Sequence, residues 1–421
     1  MDYKKVTLDN GLKLITCHMP HTRSVSVLFF VSTGSCFESD DIAGISHFIE
    51  HMCFKGTKNR SSSRDISEAI EGVGGIMNGG TDRELTSYWC KLASQHFELA
   101  VDVIVDLLRN PLFRAEDIDK ERQVIIEEIN MSLDSPQQRV GMLFDELMWP
   151  GSPMGRDVAG TKESVTAIGL QQMLKYLNSY YTPENILVSI AGDVEDERAV
   201  SVVTRYTESW QRGEKPGFIS SKTNQKQARV RLEYRDTEQV NLLLGLEGPS
   251  VFHPDRFAVD LLSMIMGEGM SSRLFTEIRE KLGLTYDIHS YVEHFKESGT
   301  FVIQAGIEPA QTGKAVRAVL DQLALIRDGI SESELNKAKE MAKGRLLLSM
   351  ENSRNVAGWY GAQEVLTGKI MTVDDVTQII EKLTLDDIKR VAQDLFVTDK
   401  LNLAAVGPIK EQDITAGSLQ I

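Results

Sequence analysis

The sequence predicts an α+β protein of two related domains in tandem, and three observations carry that expectation. At 421 residues the chain is long enough for two sizeable cores. The order of apolar runs in the first half (strands, helices, closing strand) recurs in the second. An offset of 217 residues also lays Ile118-Asp-Lys120 over Leu335-Asn-Lys337.

The elements follow in chain order. Val6-Thr-Leu8 and Leu12-Lys-Leu-Ile15 flank Asn10-Gly11, a hairpin signature because Asn and Gly tolerate the left-handed backbone of a tight turn. Residues 24–33 form the next strand. Their apolar run from Val25 to Val31 is of strand length, well short of the roughly 18 residues of a membrane span. The segment 44–56 reads as a helix bracketed by glycines, more helices reach Tyr181, and 185–191 is a strand closing on Gly192-Asp193. A polar, Pro- and Gly-bearing stretch at 211–228 has linker composition. Beyond it, strands at 230–234 and 240–246, a helix near 255–266, a strand at 299–307, long helices and a strand at 401–407 repeat the order. The expected domains are therefore 1–210 and 229–421, joined by 211–228.

Composition narrows the function. A formal net charge of −15 argues against a nucleic-acid partner, since phosphate binding needs clustered cations. It suits a soluble protein, and more pointedly a negative chamber that attracts basic peptides. The first residues, Met1-Asp-Tyr-Lys-Lys-Val6, lack the hydrophobic region of a signal peptide, so no membrane insertion is expected. Cys17, Cys36, Cys53 and Cys90 include no Cys-x-x-Cys pair, which fits buried, reduced thiols and a cytoplasmic location.

The chemistry concentrates in Gly44-Ile-Ser-His47-Phe-Ile-Glu50-His51-Met-Cys-Phe-Lys-Gly56. On a helix His47 and His51 are one turn and about 40° apart, so both imidazoles can grip one metal ion. Glu50 falls about 60° to the other side of His47, beside the open coordination position, where a carboxylate can act as general base. This is the His-Glu-x-x-His zinc motif in reverse order. A zinc enzyme needs a third protein ligand. The acidic helix from Ala115 to Asn130 offers Glu121 and Glu128, seven apart and on nearly one face, and Glu127, about 100° from Glu128. Cys53 lies about 200° around from His51 and is set aside.

Together the two segments resemble the pitrilysin-type inverted zinc peptidases, family M16, in its short form of about 420 residues. The resemblance implies a metal site of His47, His51 and the glutamate 77 positions after the second histidine, Glu128, with Glu50 as general base and Glu121 as the helper glutamate seven residues earlier. It implies one Zn²⁺ per chain and hydrolysis of peptides or unfolded, presequence-like segments, basic ones included. It also implies antiparallel-rich sheets packed with helices in both domains. Gly74–Tyr88 resembles the family's strand after the first active-site helices. Here 76–81 is expected as a substrate-binding edge that includes Asn78. Gly79 stands where the family commonly has alanine, and a looser strand edge with retained activity is expected. The segment 270–286 resembles the family's Arg–Tyr segment, which implies that Arg279 and Tyr286 hold substrate backbone at a neighbouring domain's zinc. A two-fold homodimer follows as the expected assembly.

The second half keeps no metal motif. Glu121 and Glu128 fall on Ala338 and Arg345, and His253, His289 and His294 lack ligand spacing. The alternative function is a non-catalytic or partner-dependent structural or regulatory subunit, a role in which such relatives usually lose the motif residues that this chain retains.

Overall fold

The structure, a computed structural model, describes residues 2–213, 217–221, 224–410 and 413–421. Within the expected linker, 214–216 and 222–223 lie outside the described residues.

The first sheet contains β1 (Lys4–Thr7), β2 (Lys13–His18), β3 (Ser24–Val31), β4 (Ile76–Thr81), β5 (Thr86–Ala93) and β6 (Ile186–Gly192), in the order β1-β2-β6-β3-β5-β4. The second contains β7 (Arg229–Tyr234), β8 (Val240–Gly248), β9 (Thr285–His294), β10 (Gly299–Ile307) and β11 (Asn402–Gly407), in the order β7-β11-β8-β10-β9. β2 runs parallel to β6 and β7 parallel to β11, and every other pairing is antiparallel. The second sheet is thus the first without β1, strand for strand. The two-domain α+β expectation holds.

Local chemistry explains the placements. Asn10 turns the β1–β2 hairpin by accepting the Leu12 amide on Oδ1 at 3.1 Å. β6, Ile-Leu-Val-Ser-Ile-Ala-Gly, is buried at every position, as a strand covered on both faces requires. β5 alternates instead: Thr86, Tyr88, Cys90 and Leu92 are buried on one face, while Ser87, Trp89 and Lys91 are half-buried on the other. All four cysteines are buried and none forms a disulfide.

The helices are α1 (Ile45–Cys53), α2 (Ser63–Glu71), α3 (Phe97–Arg109), α4 (Ala115–Asp134), α5 (Pro136–Met148), α6 (Lys162–Ala167), α7 (Leu170–Tyr180), α8 (Asp196–Thr207), α9 (Arg256–Gly267), α10 (Thr312–Asp328), α11 (Glu332–Ser349), α12 (Ser353–Thr367), α13 (Val373–Lys382) and α14 (Leu385–Leu395). None among the described residues is long and apolar enough to cross a membrane.

A single cut through 211–228 does not describe the contact-dense units. The first is 1–130, 157–219 and 347–372; the second is 131–156, 220–346 and 373–421. The reason is an exchange of helices. α12, from the second half of the chain, lies on β2, β6 and β3, and α5, from the first half, lies on β7, β11 and β8. Gly361 lets α12 approach closely, because a Cβ there would stand 2.3 Å from Cε2 of Phe30. Lys5 and Lys13 each place Nζ 2.7 Å from an oxygen of the buried Glu364, fixing α12 to the first hairpin. In the second unit Arg139 of α5 pairs with Glu233 of β7 at 2.8 Å.

Candidate metal centre

α1 is held by its apolar side. Ile45, Phe48, Ile49 and Met52 are buried, which leaves His47 and His51 half-buried on the other face. Gly44 starts the helix at φ 91°, and the backbone N–H groups of Gly44 and Ser46 donate to the two oxygens of buried Glu38 at 2.7 and 2.8 Å. An anion there satisfies orphan amides and complements the positive end of the helix dipole. The Arg122 guanidinium of α4 lies over the Phe48 ring, 5.4 Å from its centroid. α4 buries Ile118, Ile125 and Ile129, and Glu121 is buried with them, so its acidic stripe faces the histidines.

The resulting geometry is compact. His51 Nε2 lies 3.1 Å from His47 Nε2. Glu128 Oε2 is 3.9 Å from His47 Nε2 and 3.7 Å from His51 Nε2. Ligand atoms of His47, Glu50 and His51 all lie within 4.8 Å of one another. On its other edge His51 presents Nδ1 to Glu121 Oε1 at 2.8 Å, and Glu121 Oε2 accepts from Lys55 Nζ at 2.5 Å. Glu127 is exposed, on another face of α4.

Charge distribution follows from burial and neighbours. Burial, helped by His51, pushes the His47 pKa down to about 4, so that ring is neutral near pH 7. Burial opposes charge on His51 too, but the Glu121 hydrogen bond and the surrounding carboxylates outweigh it and raise its pKa. Burial, with Glu128 and Glu121 nearby, raises Glu50 above the ordinary carboxylate value, against the opposing pull of His51. For Glu121 the hydrogen bonds from His51 and Lys55 outweigh burial and hold its pKa low.

This donor set fits a zinc ion. Ligand atoms at bond lengths of about 2.0–2.2 Å around a tetrahedral ion stand roughly 3.3–3.6 Å apart, and the three distances of 3.1, 3.7 and 3.9 Å bracket that spacing. With Glu121 accepting at Nδ1–H of His51, Nε2 of that ring carries the lone pair that a cation would use.

Two sequence profiles match in tandem: "Insulinase (Peptidase family M16)" over residues 13–162 and "Peptidase M16 inactive domain" over 167–342. The chain belongs to peptidase family M16. An uncharacterized zinc protease of Bacillus subtilis is 33% identical over 411 residues, covering 96% of this chain and 98% of its own. One from Streptomyces coelicolor is 33% identical over 416 residues, covering 97% and 90%. Among solved structures, a protease from Helicobacter pylori aligns at TM-score 0.90 and 25% identity, over 96% of this chain and 99% of its own. A Pseudomonas fluorescens structure described as a peptidase M16 inactive domain aligns at TM-score 0.91 and 19% identity, over 97% and 99%, a likeness of fold.

The remaining candidates of this M16 chain are Asn78, in the first unit, and Arg279 and Tyr286, in the second. β4 is the outer strand of its sheet and, among the described residues, pairs with β5 alone. Gly79 turns toward α1: a Cβ on it would lie 2.6 Å from Glu50 Oε1 and 2.9 Å from Cε2 of Phe54. Asn78, its neighbour, therefore projects to the opposite face, where Oδ1 accepts the Gly79 amide at 2.9 Å. Arg279 and Tyr286 meet each other in the second unit, the guanidinium carbon 4.6 Å from the tyrosine centroid and 4.5 Å from that of Phe275. The second unit carries Ala338 and Arg345 where the first has Glu121 and Glu128. Sequence reasoning missed Glu38, Lys55 and the close approach of Gly79 to Glu50. Lys55 could have been found, since it stands one turn after His51 on the same face.

Proposed function

We propose that this M16 protein is a zinc-dependent endopeptidase acting on peptides and unfolded segments. The observation that carries the reading is the triangle of His47 Nε2, His51 Nε2 and Glu128 Oε2, with the buried Glu50 carboxylate beside it. The relatives' zinc-protease names support it. One Zn²⁺ per chain, when bound, supplies Lewis-acid polarisation of the scissile carbonyl and acidifies the attacking water.

The chain's own residues do the rest. His47, His51 and Glu128 hold the ion. Glu50 accepts the proton of the attacking water and delivers it to the leaving amine, a role worth about 10²–10⁴ in rate. Burial makes Glu50 a stronger proton acceptor than a solvated carboxylate, which suits that exchange. Glu121 holds His51 in the tautomer that presents Nε2. β4 offers the substrate a free edge, to which an extended peptide adds as a further strand; Asn78 contributes there through its backbone. Arg279 and Tyr286 bind substrate backbone at the zinc of a second copy in a two-fold homodimer, and the acidic balance of the chain favours basic peptides.

Glu50→Gln tests the assignment. The variant keeps stoichiometric zinc and loses peptide cleavage, whereas His47→Ala loses both. Normal cleavage by Glu50→Gln refutes the general-base role.

A further inference from the structure

We propose that Lys55 is a positioning residue of the metal centre: its ammonium group clamps Glu121 onto His51 and so fixes how the histidine faces the ion. The inference rests on the peptidase reading above.

Lys55 sits just beyond α1, in the turn where its own amide donates to Met52 O at 3.1 Å, four residues after His51 and so on the same side. Its Nζ reaches Glu121 Oε2 at 2.5 Å while His51 Nδ1 occupies Glu121 Oε1 at 2.8 Å. The two oxygens of one buried carboxylate are therefore divided between a lysine and a histidine from consecutive turns. The Lys55 side chain is 32% exposed and that of Glu121 only 7%, so the ion pair is shielded on the carboxylate side.

This division has consequences that a lone Glu121–His51 bond would lack. A carboxylate with one partner can rotate about its last torsion and lose registry with the ring; with both oxygens engaged it cannot. Glu121 and Glu128 share one face of α4, two turns apart, so fixing the first against α1 also sets the register at which the second meets the Nε2 atoms. Charge balances as well. Glu50, Glu121 and Glu128 bring three carboxylates to the site, and one ammonium with a divalent cation compensates them.

The test uses the full-length protein and zinc alone, titrated into the metal-free chain against a chromophoric chelator. Lys55→Met and Lys55→Gln weaken the zinc dissociation constant by about 10–100-fold, the usual effect of removing an outer-sphere partner, and Lys55→Arg restores it to within a few-fold. Melting of the metal-free variants stays at the wild-type temperature, and the visible spectrum of the Co²⁺-loaded methionine variant shifts. Wild-type affinity in both Lys55→Met and Lys55→Gln overturns the inference and leaves the peptidase reading standing. Failure of Lys55→Arg to restore affinity, or a parallel loss of metal-free stability, overturns it in favour of a general structural role. A wild-type chain that binds no zinc overturns both.

Discussion

Replacing Glu128 by glutamine, beside Glu127→Gln as control, separates a built metal site from an acidic helix that passes near two histidines. The substitution is nearly isosteric and removes one negative charge at a side chain 37% exposed. Its Oε2, 3.7–3.9 Å from both Nε2 atoms, stands where a shared cation would bond it. At a bond length of about 2.1 Å, a divalent cation and a unit charge interact by about 4 kcal/mol even at the dielectric constant of water. Residual donation by the amide oxygen offsets part of this, leaving a loss of about 3 kcal/mol, or roughly 100-fold in affinity. Glu127 points to solvent about 100° around α4, so its substitution leaves the zinc dissociation constant within about threefold of wild type. Chelator competition on the metal-free proteins reads both. Equal affinities in the two variants, or a larger loss for Glu127→Gln, would refute the reasoning.

Other outcomes follow from the same geometry. Gly79→Ala puts a Cβ 2.6 Å from Glu50 Oε1, the free end of a flexible side chain that can turn aside, so kcat stays within about 10-fold of wild type and zinc content is unchanged; a loss of about 100-fold or more would show that Glu50 has no room to move. Glu38→Gln turns an amide N–H₂ toward one of the two helix amides that Glu38 now accepts, costing about 1–3 kcal/mol by denaturant unfolding and weakening zinc binding through α1. In the second unit Glu334 is held down to about 2, chiefly by the hydrogen bond from Arg273. A depressed carboxylate stabilises the fold above its ordinary pKa and loses that contribution as pH falls toward the folded value. Glu334→Gln therefore costs about 1–2 kcal/mol near neutrality, discounted for solvent screening, and a difference that shrinks between about pH 4.5 and pH 2 in denaturant titrations is the expected signature.

Much of this was legible in the sequence because local chemistry and tertiary role agree. The β1–β2 hairpin forms at Asn10-Gly11, and β10 spans Gly299–Ile307 as its apolar run predicts. The offset of 217 anticipated two sheets of one topology. At the site, one helical turn between His47 and His51, with a glutamate two turns along another helix from its helper, places the donor atoms together. β9 escaped notice because Thr285–His294 mixes apolar residues with Asp287, His289 and Glu293 and carries no clean alternation. The exchange of α5 and α12 was invisible for another reason: an amphipathic pattern reports that a helix buries a face and not which sheet it covers. Helical spacing puts Lys55 beside His51, but its partner Glu121 is 66 residues away and those of Glu38 are backbone amides six to eight residues on, and charge patterning along the chain identifies neither set of partners.

Anomalous diffraction at the zinc edge, from crystals grown with zinc, tests the central claim most directly. One strong peak per chain, within about 2.0–2.2 Å of His47 Nε2, His51 Nε2 and a Glu128 carboxylate oxygen, is the predicted result. A zinc peak bonded elsewhere, or one at the histidines with Glu128 out of reach, would contradict it.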